Sequence, residues 1–171
     1  MNNFEIVISD TPFKMLVRSN TSTLIDSVIF IRTDQGTFPD KNWTDYSLSL
    51  LCMWCEDILR MSTRENETCI LYFMDGPYWI EVQKKGEIFE FEARWDKKDY
   101  QGDFQGAFTF QCSLEDFLEE ILRAFRKMLK ILYQMKAEES VQNTVKESYQ
   151  HYKKLIEKHT KSQTCAQEKN G

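Results

Sequence analysis

The chain has 171 residues, 42% of them hydrophobic and 13% aromatic, with only 3 prolines, a composition that excludes a disordered polymer. Its net charge of −5 conceals a split: residues 1–122 carry 22 acidic and 11 basic side chains, whereas residues 123–171 carry 5 and 11. An acidic body with a basic helical tail disfavours nucleic acid as the main partner and suits a basic protein instead.

A length of this order suits one domain. No apolar run approaches the roughly 20 residues that cross a bilayer, so no membrane span is expected. The start of the chain lacks a basic leader and a small-residue cleavage site, which predicts a cytoplasmic protein. Five cysteines at 52, 55, 69, 112 and 165 are odd in number and irregular in spacing, which argues against a disulfide framework.

Taken in order, Phe4, Ile6 and Ile8 alternate with Glu5, Val7 and Ser9 as a short strand. Asp10-Thr11-Pro12 reads as a turn, residues 13–18 as a second strand, 19–23 as a polar turn and 24–31 as a third, apolar and β-branched strand. Residues 33–40 read as a loop. Asn42 is expected to cap a helix with Asp45 completing the box, and Tyr46, Leu50, Met53, Trp54, Ile58 and Met61 mark its buried face.

The centre of the chain is a β-meander. Residues 69–74 and 79–83 flank Asp75-Gly76-Pro77-Tyr78, and a second turn at Lys84-Lys85-Gly86 leads into residues 87–95. Alternation places Ile80 and Val82 on the core face, with Phe89, Phe91, Ala93 and Trp95. The other face carries Trp79, Glu81, Gln83, Ile88, Glu90, Glu92 and Arg94. Residues 96–103 form a charged loop and 107–112 a further strand. Ser113 then caps a strongly amphipathic helix, with Asp116 at the third position and Leu114, Phe117, Leu118, Ile121, Leu122, Phe125, Met128, Leu129 and Leu132 as its stripe. Glu115, Asp116, Glu119 and Glu120 near its start, and Arg126, Lys127 and Lys130 towards its end, suit the helix dipole. A last helix is predicted over about 138–159.

The expected class is α+β: a mostly antiparallel sheet of about six to seven strands packed on two main helices, plus a C-terminal amphipathic helix. In domain terms, residues 1–135 form the body, 136–160 a helix packed on it or extending from it, and 161–171 a frayed tail.

Candidate chemistry is sparse. Cys52 and Cys55 have thioredoxin-like spacing, but they lie deep in a helix rather than at its N-terminus, and no second ligand pair follows. They read as packing residues. His151 and His159 are two helical turns apart, too far for one metal ion. No cofactor is expected, since no nucleotide-binding, hydrolase or metalloprotease motif occurs. Glu81, Glu90 and Glu92 share a sheet face, which does little to raise a carboxyl pKa without a cleft. Trp79 and Ile88 interrupt those charges with apolar area, and this mixture points to a partner-binding surface made of Trp79, Glu81, Ile88, Glu90 and Glu92. The competing expectation is that this face lies beneath the C-terminal helix, whose lysines would pair with the glutamates.

Phe38, Pro39, Asp40, Trp43 and Asp45 precede a helix that carries Trp54, and a strand then ends in Phe-Met-Asp-Gly-Pro-Tyr at residues 73–78. Over roughly residues 30–135 this pattern resembles small bacterial proteins akin to the immunity proteins of polymorphic and contact-dependent toxin systems. The resemblance implies a non-enzymatic inhibitor that neutralises a cognate toxin, such as a basic nuclease domain, inside the producing cell. It implies no catalytic residue. The alternatives are a small enzyme using the cysteine pair or the sheet carboxylates, and a self-associating adaptor protein; the oligomeric state is open.

Overall fold

Two antiparallel sheets of four strands each are tied together by helices that touch both. The computed structural model describes residues 4–19, 22–64, 67–96 and 108–168. The first sheet contains β1 (Glu5–Ser19), β2 (Ser22–Thr33), β3 (Gly36–Phe38) and β4 (Thr44–Tyr46), with β2 paired to the other three. Helix α1 (Ser47–Ser62) follows. The second sheet is a plain meander of β5 (Thr68–Tyr72), β6 (Tyr78–Lys85), β7 (Ile88–Trp95) and β8 (Thr109–Ser113). Helices α2 (Leu114–Gln134) and α3 (Glu139–Glu168) complete the chain.

The α+β class expected from the sequence is observed, with eight strands in two sheets rather than six or seven in one. The additional strands β3 and β4 are three residues long, too short for any periodic signal. Asp10-Thr11-Pro12 does not reverse the chain. Ser9 faces Val28 and Phe13 faces Ser27, so residues 10–12 are an insertion in one long strand. Proline lacks an N–H and is tolerated at such irregularities on an edge strand, and the unbroken β2 supplies a partner on either side of it. Of the polar turn, residues 20–21 lie outside the described residues, as do residues 97–103 of the charged loop, residues 104–106 after it and residue 107 at the expected start of the next strand.

Helix α1 starts later than its capping pattern suggests. Its N-cap is Tyr46, with no side-chain cap, and Asn42 lies upstream in a turn. Asp45 has been recruited elsewhere, as described below. Met53, assigned to the buried face, is exposed, while Leu51 and Cys55 are buried in addition to Leu50, Trp54, Ile58 and Met61. Helix α2 starts as predicted: Ser113 Oγ accepts from the Asp116 N–H at 3.1 Å. Its last turn carries no basic side chain, so the dipole is complemented at the N-terminus alone. It ends in a Schellman arrangement in which Ala137 N–H donates to the Leu132 carbonyl at 3.0 Å and Lys136 N–H to Tyr133 at 3.1 Å. The backbone of α3 stays helical to Glu168, past the expected end at 159. No proline or glycine interrupts 139–168, so nothing in the covalent chain stops propagation.

The core forms because α1 packs on β2 and β5, and α2 on β1 and β8, so each helix spans from one sheet to the other. An aromatic column joins the N-terminus, the second sheet and α2: Phe4 stacks on Phe110 with centroids 4.9 Å apart, Phe110 on Phe91 at 4.4 Å and Phe91 on Phe117 at 4.9 Å. Helix α3 lies across α1 and α2, burying Val141, Val145 and Tyr152. Tyr152 donates to Glu56 at 2.5 Å and stacks on Phe125.

Candidate functional site

The meander β5–β8 presents one face to the core and one away from it. Leu71, Ile80, Val82, Phe89, Phe91, Ala93, Phe110 and Cys112 are buried, and the residues between them point outward. The two-residue turn Gly86-Glu87, with Gly86 at φ 65°, sets the β6–β7 register in which Glu81 faces Glu92 and Trp79 faces Arg94. A one-residue slip would invert both faces. Five predicted partner residues, Trp79, Glu81, Ile88, Glu90 and Glu92, therefore share the outward side, where Ile88 is 41% exposed.

Two like charges directly across a ladder repel, and the protein answers this within the face. Arg94 bridges both carboxylates, Nε to Glu81 at 3.2 Å and Nη1 to Glu92 at 2.9 Å. Lys85 reaches Glu90 at 2.5 Å, and Gln111 donates to the same carboxylate at 2.7 Å. Three glutamates thus stand against two cations, and the face is mildly rather than strongly acidic. Among the described residues no helix packs on it: α3 lies on α1 and α2, and the glutamates pair with Arg94 and Lys85 rather than with its lysines. The expectation that the tail covers this face is overturned, because Tyr152, Val141 and Val145 anchor α3 against the other helices.

The twist of the sheet gives the face a shallow hollow of about 810 Å³, lined among others by Thr68, Ile70, Glu81, Glu90, Arg94 and Gln111. Sequence reasoning on β6 and β7 overlooked the contribution of β5. Tyr72, 52% exposed, faces Trp79 across the ladder and Ile70, 38% exposed, faces Glu81, so the pair extends the apolar part of the face to the sheet edge. The signal was present in the alternation of residues 68–72, where Thr68, Ile70 and Tyr72 share parity.

The motif carrying the family resemblance is a clasp between the two sheets. Phe38, the last residue of β3, is fully buried and meets Phe73 and Tyr78 edge-on, both with centroids at 5.8 Å. Trp43 packs against Tyr78 at 4.7 Å and lies so close to Gly76, at φ 82°, that a Cβ there would sit 2.6 Å from the indole. Asp45, 2% exposed, accepts from the backbone N–H of Tyr46 at 2.7 Å, Met74 at 2.9 Å and Asp75 at 3.1 Å. Burial pushes its carboxyl above the ordinary aspartate range against these hydrogen bonds, which pull it down. The clasp holds the 74–77 turn and hence the start of β6, on which Trp79 stands.

Cys52 faces α3, against Tyr152 and Ser148, and Cys55 is buried one turn further along α1. Burial raises the Cys52 thiol to about 11 and Cys55 to about 12, opposite to the shift a reactive thiol needs. Cys69 and Cys112 are likewise raised to about 12 by burial. Among the described residues no group of three or more His, Cys, Asp and Glu side chains could hold a metal ion. His159 does not stand free in solvent as its place on a polar helix suggests: its Nε2 lies 3.0 Å from Ser62 Oγ. No family model, curated protein or solved structure matches the chain.

Proposed function

We propose that this protein is a toxin-neutralising immunity protein that acts by binding, not catalysis, and that it engages a basic toxin domain through the open face of the second sheet. The observation that carries the reading is a sheet face on which no helix among the described residues packs and on which Trp79, Ile88, Ile70 and Tyr72 surround Glu81, Glu90 and Glu92. Aromatic and aliphatic groups supply desolvated contact, and the carboxylates, prearranged by Arg94 and Lys85, offer acceptors to incoming lysines and arginines. An inhibitor needs a rigid scaffold more than it needs a cleft, and the clasp and aromatic column provide one. The setting that fits is the cytoplasm of a producing bacterial cell.

The test is capture of the product of the adjacent gene by co-expression, followed by association kinetics. The triple replacement Glu81→Gln, Glu90→Gln and Glu92→Gln should leave melting unchanged, slow association about tenfold and flatten its salt dependence. A triple variant that associates at the wild-type rate and still protects cells would overturn this face as the binding surface.

A further inference from the structure

A sheet edge is a row of backbone donors and acceptors, and folded proteins block such rows. Two edges here are plugged by side chains. On β1, the Ile6 N–H donates to Glu120 at 3.2 Å and the Ile6 carbonyl accepts from Arg123 at 3.1 Å, both from α2. Glu5 and Arg32 extend this cluster, with Arg123 on Glu5 at 2.9 Å. On β8, the outward Thr109 N–H donates to Gln35 at 3.2 Å.

The β5 edge is different. Phe73 N–H bonds to the Tyr78 carbonyl and Lys84 N–H to the Glu67 carbonyl, so the odd-numbered residues of β5 face β6. Thr68, Ile70 and Tyr72 therefore point their backbone groups outward. Trp54 Nε1 caps the Tyr72 carbonyl at 2.9 Å, but among the described residues nothing meets the N–H or carbonyl of Ile70. These groups open on a hollow of about 730 Å³ between β5 and the last turns of α1. Neither proline nor lysine guards the strand, whose exposed side chains include Ile70 and Tyr72.

We infer that β5 is a self-association edge, on which a second copy of this chain adds its own β5 antiparallel across a two-fold axis at Ile70. Ile70 is the central residue of the five, so the axis places it opposite itself in a hydrogen-bonded pair, and Thr68 opposite Tyr72 of the copy. The rim favours a copy over a charged partner. Asp57 pairs with Arg60, and Arg64 with Glu67 at 3.0 Å, so among the described residues the hollow carries equal numbers of each sign and selects neither a basic nor an acidic ligand. A two-fold operation on a rim of mixed sign can exchange acid and base between copies. The product is a continuous eight-stranded sheet with the two open faces on one side. A strand of five residues buries little area, so the dimer is weak, with Kd between about 10 μM and 1 mM. The edge shares Ile70 and Tyr72 with the proposed toxin-binding face but none of its glutamates, so the Glu81, Glu90 and Glu92 replacements test that reading and leave self-association untouched.

Sedimentation of the full chain over that concentration range is the test. The wild type should pass from monomer to dimer, and the Ile70→Lys variant, which sets like charges face to face at the axis, should remain at half the dimer mass with an unchanged circular dichroism melt. The Ile70 and Tyr72 amides should exchange with deuterium more slowly in the dimer than in dilute solution. A wild type that stays monomeric to about 1 mM overturns the inference, as does an Ile70→Lys variant that still dimerises. Protection of these two amides only on mixing with another protein also overturns it, assigning the edge to a partner's strand.

Discussion

The two sheets have four strands each and opposite relations to solvent. In the first, β2 is buried on both sides along residues 27–31, where Ser27, Val28, Ile29, Phe30 and Ile31 are all inaccessible. In the second, β6 and β7 alternate strictly, and among the described residues no helix covers their outward side. The difference is already written in the side chains: residues 28–31 of β2 read as an unbroken apolar run, β6 and β7 as period-two patterns. A strand buried on both sides serves the fold. A strand buried on one side leaves a surface whose residues are free to answer to another molecule, and on this protein that surface mixes aromatics with bridged carboxylates.

That contrast can be broken most severely from inside. Phe91→Ala, at the centre of the aromatic column, should cost about 3–5 kcal/mol, whereas Ile88→Ala three residues earlier on the outward side should stay within about 0.5 kcal/mol. Equal urea midpoints for the two variants would erase the distinction between the faces. Asp45→Ala should come next, at about 2–4 kcal/mol, because it removes the buried carboxylate that the Met74 and Asp75 amides share as acceptor. Faster hydrogen exchange at those two amides would locate the loss in the clasp, and a melt equal to wild type would show the clasp to be dispensable.

The smallest expected effect concerns the α3 interface, which belongs to neither sheet. Burial, and then the positive charge of Lys84, hold the His159 imidazole below its usual pKa. The unfolded chain therefore binds the proton more readily than the folded one over the window between the lowered value and about 6.5. Stability should be fully present above that window and decline as pH falls through it, and His159→Gln should flatten this part of the profile. A wild-type melt independent of pH across 5 to 7, in steps of about half a unit, would remove His159 from the docking of α3.

Periodicity and local chemistry by themselves determined the α+β class, the start of α2 at Ser113, the second meander with its turns at Gly76 and Gly86, and which residues of β6 and β7 face away from the core. Those features depend on spacing of 2 or 3.6 residues and on what glycine and serine do to their neighbours, so they are legible without a partner. Tertiary structure decided the rest. Asp45 was a plausible helix cap until the Met74 and Asp75 amides, 29 and 30 residues away, competed for its oxygens. Asp10-Thr11-Pro12 had the composition of a reversal, yet β2 was long enough to pair on both sides of it. The division into two sheets, the path of α3 over α1 and α2, and the unplugged edge at Ile70 all depend on contacts between residues distant in the chain. A local pattern states which face of a strand is apolar; only the assembled fold determines what, if anything, comes to cover it.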